Sequence, residues 1–564
     1  MSVSEEQRKN SMKFTAIYTS IVIGIIMMYI CGYVGSIMGD YNYDLTSSFN
    51  TMINQLKESQ FLFSLNASAF IGIFIGILIG GFSCFMLISD NQRNYAYKSD
   101  EVAGTGGFMS EKELKKYKKK YESEDPKPIT ENLPVSFEVG KDEKKYSQNM
   151  IMSDNFTRPV LASRLIGNNS IVVVGGAGTG KSRFLIKPNV LQMNASYVIT
   201  DPSGEMIHSL GTVLKNHGYK IKIFNIADMG HSNCYNPLKY IRDEAGVNMV
   251  IECFIKNTTK QGEKGDQFFT NAEKLLYSAC VFYLIDFCQD DSKKNFAGIV
   301  NMVNSSQVDE QNPNAKSPLD LLFDKCPKDS LAWKYYSAFK KAGTSITDKI
   351  IASCSIILYP FKTKSFAELT KKDTLEIEKF KDEKTVLFII SSMSKTEFNF
   401  IVPVLYLQIL NMYNIRQTQN SSSDIPIHLF MNNFMNCGKI PNLLYYFTTG
   451  QDISISIILQ DISQLETIYP NVWKEIMNEF ENLVFFGPTN ETTAYFLKNK
   501  MKNRNKFYNL FSKNSFVVPA EKCIVCQGNQ KPKTDKKYDY IKHPYFENTG
   551  DYDIKNSCNY KEKH

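Results

Sequence analysis

The segment Gly175-Gly176-Ala177-Gly178-Thr179-Gly180-Lys181-Ser182 constrains this chain more than any other. It completes a G-x-x-x-x-G-K-S loop, whose backbone N–H groups can hold phosphates together with the N-terminus of a following helix. The flanks agree with the pattern. Ile171 to Val174 is a continuous β-branched run, as in a strand buried on both faces, and a helical segment comes after the loop. In such a loop Gly175, Gly178 and Gly180 leave room for the backbone to approach phosphate, Thr179 adds its N–H, Lys181 reaches the β- and γ-phosphate oxygens, and the Ser182 hydroxyl ligates Mg²⁺. ATP and Mg²⁺ are therefore the expected cofactors. Ser196 to Thr200 and Tyr219 to Ile226 read as further strands, and strand alternating with helix predicts a mainly parallel α/β sheet with the loop at its carboxyl edge.

Upstream, Phe14 to Met38 and Phe61 to Ser89 carry no charged residue, and each exceeds the roughly 20 residues that cross a bilayer core. Both are expected to span as a two-helix transmembrane hairpin. A cleaved signal peptide is the rival reading of the first, but its apolar run is too long and a second follows directly. Arg8, Lys9 and Lys13 precede the first span, only Lys57 lies between the two, and Arg93, Lys98 and a lysine run from Lys112 to Lys120 follow the second. This asymmetry predicts a multi-pass protein of the cell membrane, with both ends and the bulk of the chain in the cytoplasm. Gly72, Gly76 and Gly80 recur on one helix face, where they suit close helix packing or simply reflect the frequency of glycine in membrane helices. The lysine run is either a contact for anionic lipid or a solvated helix face.

At 564 residues the chain has room for two to four folding units, and a net charge of +7 is too mild to indicate nucleic acid by itself. The 12 cysteines follow no framework spacing and read as reduced thiols. Cys523 and Cys526 have CxxC spacing without a second pair, so ordinary strand cysteines are expected rather than a zinc site.

Several motifs lie in order beyond the loop: Gly175 to Asn189 (GGAGTGKSRFLIKPN), Asp201-Pro202-Ser203-Gly204-Glu205, Tyr235-Asn236-Pro237-Leu238, and Asp266-Gln267-Phe268-Phe269 followed by Ala272 to Leu276. Together they resemble the TraG-type coupling proteins of conjugative type IV secretion systems, over roughly residues 90 to 545. The resemblance implies a RecA-like P-loop domain with an inserted all-α domain behind the membrane anchor. The expected boundaries are 1–90 for the anchor, 91–160 for a linker with the soluble body starting near Leu161, 161–239 and 383–545 for the two parts of the nucleotide-binding domain, 240–382 for the all-α domain, and 546–564 for a tail.

The resemblance breaks at one strand. Ile427 to Met431 corresponds to the family's Walker B strand, which ends in Asp and Glu, yet Asn432 and Asn433 stand there. An amide carries no charge to order Mg²⁺ and has no basicity to polarise water. Thr449 and Gln451 stand where the family has finger arginines, whose loss costs on the order of 10³ or more in turnover. Gln460 keeps the family's γ-phosphate sensor glutamine. Asp201 and Glu205, on a strand expected to lie beside the P-loop strand, and Asp461 are candidate substitutes for Mg²⁺ or water, against a plain turn and helix-cap role.

Two classes of function remain. One is an ATP-driven hexamer that moves single-stranded DNA with a bound relaxase or protein to the secretion channel. The other is a nucleotide-binding but poorly hydrolysing paralogue that acts as receptor or scaffold, mixed with an active copy in one ring. A DNA-segregation translocase fits less well. The basic run Lys498, Lys500, Lys502, Arg504 and Lys506, with Phe507 and Tyr508, suits either a nucleic-acid backbone or a solvated helix end.

Overall fold

The β-branched runs become strands of one sheet because their neighbours bury both of its faces. The structure, a computed structural model, describes residues 24–38, 40, 44–59, 62, 64–78, 149–159, 170–258, 267–306, 316–391, 396–416, 425–449, 453–480, 482–487, 492–493, 496, 518–527 and 532–560. It forms two compact units, residues 1–115 with 502–512 and residues 116–501 with 513–564.

In the larger unit, β1 (Asn149–Ile151) and β2 (Thr157–Pro159) make a hairpin. The nine-stranded sheet then uses β3 (Ile171–Val174), β4 (Ser196–Thr200), β5 (Lys220–Asn225), β6 (Thr385–Ile390), β7 (Ile427–Met431), β8 (Ile453–Leu459), β9 (Asn482–Phe485), β10 (Lys522–Gln527) and β11 (Lys533–Lys536). Their order is β11-β10-β9-β3-β8-β7-β4-β6-β5. Pairing is parallel from β9 through to β5, while β10 and β11 run antiparallel at one edge. β3, β4, β6, β7, β8 and β9 are buried along their whole length, while the edge strands β5 and β11 each expose a lysine, Lys220 and Lys536. This is the RecA-like, mainly parallel sheet that the sequence predicts.

Strand order overturns one expectation. β4, which leads to Asp201 and Glu205, is separated from the P-loop strand β3 by both β8 and β7. At about 4.8 Å per strand, its end lies roughly 14 Å along the sheet from the loop.

Between β5 and β6 the described chain is helical, from Glu244–Thr258 and Gln267–Asp286 to Lys364–Lys371. The insert shares an aromatic core with the sheet half: Phe296 stacks on Phe361 at 4.7 Å, and Phe400, just before the helix Ile401–Arg416, lies 5.5 Å from Phe361 and 5.3 Å from Phe254. Tyr235 and Gln408 tie the start of the insert to the helix Ile401–Arg416. The Tyr235 hydroxyl donates to Gln408 Oε1, and Gln408 Nε2 donates to the Pro237 carbonyl at 2.8 Å, all out of solvent.

Two terminal segments are tied in more firmly than expected. The β1–β2 hairpin starts before Leu161, and Asn189 clamps Ile151 by accepting from its N–H and donating to its carbonyl, each at 2.7 Å. Residues 546–560 are no loose tail. Asp551 accepts from Ser209 of helix α1 (Glu205–Asn216) and from Lys187, both at 2.7 Å. Lys187 also meets Glu205 at 2.8 Å, and with 5% of its side chain exposed it depends on both carboxylates. Burial pushes its pKa down, and the bonds to Asp551 and Glu205 more than reverse this.

In the smaller unit, helical segments 24–38 and 67–78 flank a helix at Leu45–Lys57, whose N-cap Asp44 accepts from Thr46 and Ser47. A Cβ on Gly72 would lie 2.1 Å from the Cys31 carbonyl oxygen, and one on Gly76 would lie 2.6 Å from Met28 Cα. These glycines therefore serve packing within the hairpin; Gly80 lies outside the described residues. No helix among the described residues is long and apolar enough to cross a membrane. Parts of both apolar runs, 14–23 and 79–89, lie outside them, as do the lysine run, the linker before Asn149, Gln451 and the basic run Lys498 to Tyr508.

Asp551→Ala should lower the Tm of the protein, by about 1–3 kcal/mol of stability, because it strips a buried ammonium of one of two partners. An unchanged melt would show that the 546–560 segment is not integral to the fold.

Candidate nucleotide site

β3 ends at Val174, paired with Leu459 of β8 on one side and Phe485 of β9 on the other. The chain leaves the sheet between them: the Gly175 N–H donates to Leu459 at 3.2 Å, and the Phe486 N–H donates to Val174 at 2.8 Å. Any side chain at 175 would collide here, since its Cβ would fall 2.8 Å from both Phe486 Cβ and Thr179 Oγ1. Gly178 and Gly180 have φ of 73° and 83°, the left-handed region in which a β-carbon is costly. The glycines are thus required by this backbone as well as by the motif.

The helix after the loop opens with a wide π-turn over Ser182–Ile186, in which the Lys187 N–H bonds the Ser182 carbonyl. Pro188 supplies the reason. It has no N–H for the Phe184 carbonyl, so the ordinary ladder cannot form there and the turn widens.

The Lys181 ammonium folds over the loop, donating to the Gly175 carbonyl and to the Gly176 carbonyl at 2.9 Å. Burial lowers its pKa to about 8, assisted by the charge of Lys537. Phosphate oxygens would be better partners for this donor than neutral carbonyls. The loop therefore fits a phosphate group on its own geometry.

Gln460 follows β8 directly and is exposed at the carboxyl edge beside the loop, with its N–H bonded to Gln464 Oε1 at 2.9 Å. Asn432 and Asn433 leave β7, one strand further on, where Met431 pairs with Ile457. So Gln460, the loop and the two asparagines do share one edge. Asn433 has φ 52° and ψ 62°, a conformation that asparagine tolerates better than most residues. Asp461 accepts from the Ser463 N–H at 2.9 Å, a turn role. Thr449 ends the helix Leu443–Thr449.

Asp201 does not join this group. Besides the distance along the sheet, its carboxylate accepts from the Ile207 N–H at 3.0 Å and closes the start of α1. Burial raises its pKa to about 6, against the pull of the Ile207 and Met206 amides. Glu205 is engaged with Lys187. The bonds of both carboxylates fit the turn and helix-cap role, and β4 stands three strands from β3. Among the described residues no group of three His, Cys, Asp or Glu could hold a metal. Cys523 and Cys526 lie three apart on β10, which turns them to opposite faces.

Sequence reasoning passed over Lys537, Phe184 and Phe486, which enclose the loop. Lys537 donates to the Thr179 carbonyl at 2.9 Å, and its ammonium lies 5.5 Å from the Phe184 ring centre and 5.0 Å from that of Phe486. One lysine among Lys531, Lys533, Lys536 and Lys537 carries no local signal of such a contact.

Asp201→Asn should bind Mg²⁺ and nucleotide as the wild type does. A buried carboxyl whose pKa is raised adds stability below its ordinary value near 4 and loses it as pH rises through about 6. The variant's Tm relative to wild type should therefore be higher at pH 8 than at pH 5. Loss of Mg²⁺-dependent binding would restore Asp201 as a metal ligand.

Comparison with known proteins agrees with this architecture. No curated protein matches the chain. Among solved structures, the plasmid coupling protein TrwB with the non-hydrolysable ATP analogue ADPNP is 15% identical, with a TM-score of 0.51 over 72% of this chain and 93% of that one. TrwB lacking 70 N-terminal residues, in complex with sulphate, gives the same values, and TrwB with ADP and Mg²⁺ gives 0.51 over 71% and 92% at 15% identity. At that identity the likeness concerns the fold. The family model for conjugative DNA transfer by the type IV secretory system matches residues 110–503. The chain belongs to that family, as a TraG-type coupling protein of conjugative type IV secretion.

Proposed function

We propose that this coupling protein binds ATP with Mg²⁺ and couples single-stranded DNA, carried with a relaxase or protein substrate, to the type IV secretion channel, while itself hydrolysing ATP slowly. The observation that carries the reading is the complete loop at the sheet edge, with Lys181 over it and Gln460 beside it, facing a β7 that ends in two amides. TrwB, of the same fold, has been solved with ADPNP and with ADP and Mg²⁺, which supports nucleotide at this edge.

In this reading the loop N–H groups and Lys181 hold the phosphates, and the Ser182 hydroxyl is a ligand for Mg²⁺. The bound Mg²⁺ supplies charge neutralisation on the phosphate chain. Gln460 stands where it can report a γ-phosphate through its amide. Asn432 can donate or accept a hydrogen bond but cannot balance a cation, and Asn433 cannot take a proton from water. These two positions favour a receptor or scaffold whose bound nucleotide sets its conformation, placed as a homo-hexamer or with an active copy in a mixed ring.

We further propose that the hairpin anchors the chain in the cell membrane, with the bulk in the cytoplasm. The exposed apolar side chains of Ile25, Ile26, Phe70, Ile71 and Phe74 on its described helices support this, together with the lysine asymmetry of the sequence.

Calorimetry on the detergent-solubilised protein should show Mg²⁺-dependent ATP binding that Lys181→Ala abolishes, with turnover on the order of 10³ below an ordinary coupling ATPase. The pair Asn432→Asp and Asn433→Glu should raise turnover, though Glu at the left-handed position 433 carries a backbone cost of about 1 kcal/mol. Brisk DNA-stimulated hydrolysis by the wild type would sink the slow-turnover reading. Equal affinity in wild type and Lys181→Ala would remove the nucleotide site itself.

For the membrane arrangement, an epitope inserted after Arg93 should fractionate with membranes and resist protease added to intact cells. Its digestion without lysis would reverse the orientation.

A further inference from the structure

Lys537 follows the antiparallel edge strand β11, far from the P-loop in sequence, yet its ammonium ends on the loop. It donates to the Thr179 carbonyl at 2.9 Å, between the rings of Phe184 and Phe486 at 5.5 and 5.0 Å. Its backbone is fixed as well, with its N–H donating to the Glu521 carbonyl at 2.9 Å. Only 7% of the residue is exposed.

A purely structural clip does not account for this choice of residue. The Thr179 carbonyl needs one donor, which a neutral amide could provide, whereas a buried ammonium pays desolvation and repels Lys181. Burial lowers the Lys537 pKa, with Cys523 and Glu521 acting the other way, and among the described residues the charge that acts on Lys181 is that of Lys537. Two ammonium groups held against one small loop are unfavourable to each other until a multiply charged anion sits between the loop N–H groups and both cations.

We infer that Lys537 is a positioning residue of the nucleotide site, holding the loop through the Thr179 carbonyl and adding a second positive charge for the phosphate chain of ATP. The inference rests on the nucleotide reading proposed above. It also makes the antiparallel edge, β10 and β11, a working part of the site, because that edge is what carries Lys537 to the loop.

The test uses the full chain in detergent, titrated with Mg·ATP and Mg·ADP at two salt concentrations. Lys537→Gln keeps an N–H donor for Thr179 but removes the charge, Lys537→Arg keeps the charge, and Lys181→Ala runs alongside. With melts like the wild type, Lys537→Gln should bind ATP about 10-fold more weakly, lose more for ATP than for ADP, and show a flatter salt dependence, while Lys537→Arg should stay within about 3-fold. Wild-type affinity and salt dependence in Lys537→Gln would overturn the inference alone. Absence of ATP binding by the wild type would overturn the nucleotide reading and this with it. Should Lys537→Gln fail to melt cooperatively, acetylation of the wild type decides: ATP should slow the modification of Lys537 several-fold, and no protection overturns the inference.

Discussion

One hydrogen bond, from the Gly175 N–H to the Leu459 carbonyl, marks the point at which a buried strand becomes a phosphate-shaped loop. On one side of it lies a parallel sheet that can exist only with both faces covered. On the other lies a backbone that must turn through positive φ twice within three residues, at Gly178 and Gly180. The covered sheet fixes where the loop begins, and the loop fixes which strand ends can act on its contents. Gln460 gains its place because β8 is the neighbour of β3, and Asn432 and Asn433 gain theirs because β7 is next.

The same constraint explains what could be read from the sequence. Val172 and Ile457 announce strands because burial on both faces selects β-branched residues, and the loop announces itself because few residues other than glycine fit its angles. Lateral order leaves no such mark. Nothing in Ser196 to Thr200 says whether β4 lies next to β3 or three places away, so residue identity alone sets Asp201 beside the loop, whereas the order β3-β8-β7-β4 sets it three strands off. Lys537 and Asp551 were hidden for a related reason. Each acts on a partner some 360 residues earlier, Thr179 at a separation of 358 and Lys187 at 364, and a single sequence holds no trace of contacts at that range.

The asparagine pair shows the reverse case, legible in sequence and deepened by structure. Two amides where the family resemblance implies carboxylates are visible from residue identity alone. Only the backbone shows that Asn433 sits at φ 52°, where a short amide is tolerated and longer side chains are strained.

The pairing of Lys187 with Asp551 also bears on how the protein is made. As the chain leaves the ribosome, the P-loop and its helix emerge early, and until residue 551 appears the buried ammonium has Glu205 as its carboxylate partner. β3 likewise waits for β8 and β9, which follow the whole helical insert. Contacts of such separation close slowly and leave apolar strand faces uncovered meanwhile. Closure of the sheet around β3 therefore waits on strands and on an ion pair that lie several hundred residues further along the chain.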